Sequence, residues 1–64
     1  MRIKFDAGKL RKILFDKGMN QTELSNVTGI SRVTINGIMN GRSCSAETAD
    51  TICSALSIDR SDAV

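Results

Sequence analysis

Apolar residues recur at helical spacing along most of the chain. Leu10, Ile13 and Leu14 form one i, i+3, i+4 stripe, and Leu24 with Val27 forms a shorter one. Ile35, Ile38 and Met39 make a third, and Ala49, Ile52, Cys53 and Leu56 a fourth. There is no Pro, and β-branched residues do not alternate with polar ones over any long stretch. Each stripe has a start and a stop. Asp6 caps a first helix over about residues 6–17, which Gly18 ends; Phe15 falls beside its stripe. Asn20 opens a helix over 21–28 with Glu23 at its third position, as in a capping box, and Gly29 closes it. Ser31 caps a third helix running to Asn40, ended by Gly41, and Ser45 caps a fourth over about 46–56. Residues 1–5 read as an extended lead-in with Ile3 and Phe5 placed to pack inward, and 59–64 either add a turn or fray. The pattern predicts a single all-α domain spanning 1–64, with four or five short helices.

Composition narrows what such a domain can do. At 64 residues and 41% hydrophobic, the chain is too apolar for a disordered tail. No apolar run approaches the roughly 20 residues of a membrane span. The opening Met-Arg-Ile-Lys-Phe-Asp has no apolar signal core, which predicts a protein that stays in the compartment where it is made. Two Cys are too few for a disulfide framework and suit a reducing cytosol. There is no His for acid–base work and no Gly-rich phosphate loop. The cysteines stand nine apart without partner ligands, so neither a metal nor a cofactor is expected. So short a chain has little room for a pocket beside its core, so a small-molecule ligand is not expected either. A binding module remains, rather than an enzyme. Cys53 falls in the fourth stripe and reads as core; Cys44 reads as an incidental free thiol in a loop.

Charge is unevenly spread. Residues 1–42 carry Arg2, Lys4, Lys9, Arg11, Lys12, Lys17, Arg32 and Arg42 against Asp6, Asp16 and Glu23, a net +5. Residues 43–64 carry Arg60 against Glu47, Asp50, Asp59 and Asp62, a net −3. The overall +2 therefore hides a basic part suited to a polyanion, or else an ordinary solvated helix surface.

Two short helices joined by a turn containing Gly, with the second capped at once, is the pattern of a helix-turn-helix. The turn needs a residue that accepts positive φ, and Gly29 is there. The crossing needs a small side chain, which Ser25 supplies, while Leu24, Ile30, Ile35 and Ile38 lock the unit to the rest. An αα-hairpin inside a small bundle would use the same caps and the same Gly. The unit spans about residues 20–40.

The order Gln21-x-Glu23-Leu24-Ser25-x-x-x-Gly29-Ile30-Ser31-Arg32-x-Thr34-Ile35-x-x-Ile38-x-Asn40-Gly41 resembles the Cro/phage-repressor type of helix-turn-helix domain, the lambda-repressor-like fold. The resemblance extends upstream through Lys17-Gly18-Met19-Asn20 and downstream over Ser45–Ile58, roughly 50 of 64 residues. It implies a compact five-helix domain that places its third helix in the major groove. The chain departs from the family in places. Members often join an Arg near the end of helix 1 to a Glu near the end of helix 3. Leu14 and Met39 stand at those places here, which predicts a buried apolar contact instead. The Pro common before helix 4 is here Cys44, which leaves that loop less rigid.

Roles follow from this placement. With Ser31 as cap and Ile35 and Ile38 facing inward, the outward base-reading positions are Arg32, Val33, Asn36 and Gly37. Arg32 suits a bidentate contact to guanine O6/N7 and Val33 a thymine methyl. Asn36 suits adenine N6/N7 or simply solvates the helix. Gly37 costs roughly 1 kcal/mol in a helix interior, which points to a close approach to the groove or to tolerated drift. The phosphate set is Gln21, Ser31, Thr34, Asn40, Arg42 and Ser43. Gln21 opens a helix whose free N–H groups favour an anion, and the resemblance implies a phosphate-binding Gln there. Asn40, Arg42 and Ser43 form the second clamp by the same resemblance. Thr34 is either a phosphate ligand or an intrahelical hydrogen-bonder. Lys9, Arg11, Lys12 and Lys17 read as solvated groups, one or two of them adding electrostatic reach.

The expected function is a sequence-specific, double-stranded-DNA-binding transcriptional regulator, a Cro-like repressor acting in the cytoplasm. Its brevity points to a phage or mobile-element source. A weak homodimer, assembled mainly on a pseudo-palindromic operator, is the expected form. The alternatives are an antitoxin of the same fold and a helical protein-interaction module.

Overall fold

The computed structural model describes residues 1–64. In chain order the elements are β1 (Arg2–Lys4), α1 (Ala7–Asp16), α2 (Gln21–Thr28), α3 (Arg32–Met39), β2 (Ser43–Ser45), α4 (Ala46–Leu56) and a short 3-10 helix over Arg60–Asp62. Four α-helices dominate, and each begins at the cap its sequence offers. Asp6 accepts from the Lys9 N–H, Ser31 from that of Thr34 and Ser45 from that of Thr48. Asn20 and Glu23 exchange side-chain and backbone hydrogen bonds in a complete capping box.

Thirteen buried residues form one core: Phe5, Leu10, Leu14, Leu24, Ile35, Ile38, Met39, Cys44, Ala49, Ile52, Cys53, Leu56 and Ala63. Leu14 and Met39 are both in it, as expected of apolar groups at those places. Val27 is not. It is 60% exposed, so α2 presents only Leu24 to the core, with Ser25 and Thr28 half-buried beside it. A stripe of only two residues does not say which of the pair is buried.

The helices are joined by a small antiparallel sheet that helical periodicity could not disclose. Arg2 pairs with Ser45, Ile3 with Cys44 and Lys4 with Ser43. Side chains alternate across a strand. Ile3 and Cys44 therefore point to the core, while Arg2, Lys4, Ser43 and Ser45 share the other face. This corrects the reading of Cys44 as a loop thiol: it is 5% exposed, in a strand. Burial pushes its thiol above the usual range, with Arg2 opposing in part. Strand pairing, rather than a Pro, holds the segment before α4. Cys53 lies in the core as its stripe implies. The C-terminus does not fray. Ala63 is fully buried, its carbonyl accepts from the Asp6 N–H at 2.7 Å, and the Val64 carbonyl accepts from Lys9 Nζ at 3.2 Å.

Candidate nucleic-acid interface

Gly29 ends α2 at φ 75°, in the left-handed region that L side chains rarely enter, and its N–H donates to the Ser25 carbonyl. Ser25 does more than stay small. Its hydroxyl donates to the Ile30 carbonyl, closing the turn, and the Thr28 hydroxyl donates to the Leu24 carbonyl while accepting from the Ile30 N–H. The turn between α2 and α3 is thus satisfied from within, and α3 leaves it at a defined angle.

Ile35, Ile38 and Met39 anchor one side of α3 in the core. The other side carries Arg32, Val33 and Asn36, all exposed, and Gly37, half-buried. Val33 is 83% exposed. Two concavities flank this ridge. One, of about 380 Å³, is lined by Gln21, Arg32, Val33 and Asn36. The other, of about 240 Å³, is lined by Val33, Thr34, Gly37, Ile38, Arg42, Ser43 and Arg2. Val33 borders both. An α-helix with its side chains is about 10–12 Å across, close to the roughly 12 Å of a major groove. A helix in that groove has one phosphate strand on either side. Here Gln21 lies on one side of α3, and Arg42 with Ser43 on the other.

The chain matches the family model described as the Cro/C1-type HTH DNA-binding domain over residues 9–64. It belongs to that family. No curated protein matches it.

In this Cro/C1-type domain the side chains expected to meet DNA are unequally free. Arg32, Asn36 and Gln21 make no side-chain hydrogen bond to the rest of the chain, and neither Arg32 nor Arg42 has a carboxylate partner. Ser31 and Thr34 are occupied by capping: Ser31 Oγ donates to Thr34 Oγ1 at 2.9 Å and accepts from the Thr34 N–H at 3.2 Å. The Thr34 hydroxyl keeps its own proton for an acceptor outside. Asn40 is more tied. Its Nδ2 donates to the Asn36 carbonyl, and its Oδ1 accepts from Arg11. Ser43 accepts from Arg2 through both its hydroxyl and its carbonyl.

Gly37 also meets Arg42 within the chain. A β-carbon there would stand 3.1 Å from Arg42 Cδ, and the Arg42 N–H donates to the Gly37 carbonyl at 2.9 Å. The missing side chain makes room for the stem of Arg42 against α3. Arg11 was also missed as a structural group. Its guanidinium donates to the Met39 carbonyl at 3.0 Å and to Asn40 Oδ1 at 3.2 Å. A cation at the C-terminal end of α3 complements the helix dipole. This polar tie joins α1 to α3 one turn before Leu14. No spacing rule finds it, because the partner is a backbone oxygen 28 residues away.

The acidic residues lie elsewhere. Glu47 and Asp50 line the largest concavity, about 470 Å³, with Val27, Thr51, Ser54 and Ala55, and it shares no residue with the two beside α3. Asp50 also pairs with Arg60 at 3.3 Å, neutralising the one cation of the acidic part.

Proposed function

We propose that this chain is a transcriptional regulator of Cro-like repressor type, which binds a specific duplex sequence through α3 and blocks promoter access. The observation that carries this reading is the ridge of Arg32, Val33 and Asn36 between two concavities whose walls supply phosphate ligands. Arg32 reads guanine, Val33 a thymine methyl and Asn36 adenine, while Gln21, Thr34 and Arg42 fix the register on phosphates. Ser31, Asn40 and Ser43 support those contacts from the caps and clamps they already make. One module reads only a few base pairs. The working form is therefore a weak homodimer on a pseudo-palindromic operator, half-sites about one helical turn apart. The acidic surface, kept off α3, stays free for the partner subunit or solvent. The proposed compartment is the cytoplasm; no helix is long and apolar enough to cross a membrane.

The test is selection of bound duplexes from a random pool, followed by gel shift at several salt concentrations. Enrichment of a pseudo-palindromic sequence, with an affinity that falls steeply as salt rises, supports the reading. No enrichment at low salt would favour a protein-interaction module.

A further inference from the structure

We propose that the β1–β2 sheet is a second phosphate-binding element, in which Arg2 and Lys4 grip the DNA strand beside the C-terminal end of α3. This rests on the DNA-binding reading and extends it to residues outside the helix-turn-helix. Three observations carry it. First, the register places Arg2 and Lys4 on the outer face of the two-stranded sheet, because Ile3 and Cys44 take the inner one. Second, both side chains converge on the segment that follows α3. Arg2 Nη2 donates to the Ser43 carbonyl at 2.8 Å and Nε to Ser43 Oγ at 3.3 Å, while Lys4 Cε lies 3.8 Å from where a β-carbon would stand on Gly41. Arg2 thereby lines the same concavity as Val33, Gly37 and Arg42. Third, no carboxylate neutralises the group. The ion pairs of the chain are Lys12–Asp16 and Arg60–Asp50, leaving Arg2, Lys4 and Arg42 unpaired.

A cluster of three unpaired cations repels itself in the free protein, and a polyanion laid against it removes the repulsion. The hydrogen bonds of Arg2 make the arrangement specific. A guanidinium has five N–H donors. Ser43 engages two N–H-bearing atoms and fixes the plane, and the remaining donors have no partner within the chain. Ordering a long side chain before binding removes an entropic cost at the moment of contact. Lys4 supplies a compact charge with no internal partner.

The test measures affinity for a labelled random-sequence duplex between about 50 and 200 mM salt, for the wild type, Lys4→Gln, Arg2→Gln/Lys4→Gln and Lys12→Gln. Each lost phosphate contact should flatten the slope of log K against log[salt] by about 0.9, equal to about 3.5-fold over that range. The expected result is one such step for Lys4→Gln, two for the double variant and none for Lys12→Gln. The Lys4 side chain makes no hydrogen bond or ion pair within the chain, so Lys4→Gln decides the matter even if losing the Arg2–Ser43 bonds unfolds the double variant. The selected sequence preference should be unchanged in Lys4→Gln, since phosphates carry no sequence information. A Lys4→Gln slope equal to the wild type overturns the sheet proposal and leaves the α3 reading standing, and so does a shifted preference. A flat plot for the wild type itself overturns both.

Discussion

The Arg42 side chain lies across Gly37, its Cδ 3.1 Å from the place a β-carbon would occupy. Gly37 sits in the middle of α3, where Ala would favour the helix by roughly 1 kcal/mol. The exposed, flexible arginine can move a few tenths of an ångström to admit a methyl group. Gly37→Ala should therefore raise the thermal midpoint while weakening DNA binding, because Arg42 loses its bed against α3. Calorimetry and gel shift on the same preparation check this. An unchanged Kd would mean that Arg42 does not use that position.

Arg32 and Gln21 face one concavity but should fail differently when truncated. Arg32→Ala should relax sequence preference at one position by about 1–3 kcal/mol, the worth of a bidentate base contact. Gln21→Ala should weaken all duplexes about equally. Selection from a random pool with each variant separates the two. A uniform loss for Arg32→Ala would move it from the base-reading set to the phosphate set.

Leu14 and Met39 are buried in the same core. Each truncation to Ala should cost about 2–5 kcal/mol, a large share of the stability of so small a domain. Residues in contact couple by about 0.5–3 kcal/mol in a double-mutant cycle. Urea midpoints of the two single variants and the double variant should show that coupling. Strict additivity would mean the two side chains do not touch.

Cys44 and Cys53 are buried thiols whose pKa values are raised by burial; Asp50 adds to the effect at Cys53. A thiol that stays protonated in the fold but ionises in the unfolded chain stabilises the fold fully below the unfolded value, about 8.5. That contribution is lost as pH rises from there through the folded value. The urea midpoint should thus fall more steeply above about pH 8.5 for the wild type than for Cys44→Ala/Cys53→Ala. Parallel pH profiles for the two proteins would contradict this.

Local spacing alone determined most of the helical frame. Asp6, Asn20, Ser31 and Ser45 cap the helices, and the stripes of α1, α3 and α4 fall in the core except for half-buried Ile13, because caps and amphipathic faces are set within one or two turns of chain. The order of residues from Gln21 to Gly41 sufficed to suggest the family. The tertiary structure decided whatever depends on residues far apart in sequence. Arg2 meets Ser43 across 41 positions, and Arg11 reaches Met39 across 28. Both join long side chains to backbone oxygens, which every residue carries and no pattern marks. Cys44 is buried because Ile3 pairs with it, and Val27 is exposed because α2, between α3 and α4, buries only Leu24. Gly37 shows the division most sharply. Its helix-weakening chemistry is legible in the sequence, but its contact with Arg42 appears only where the chain returns after α3.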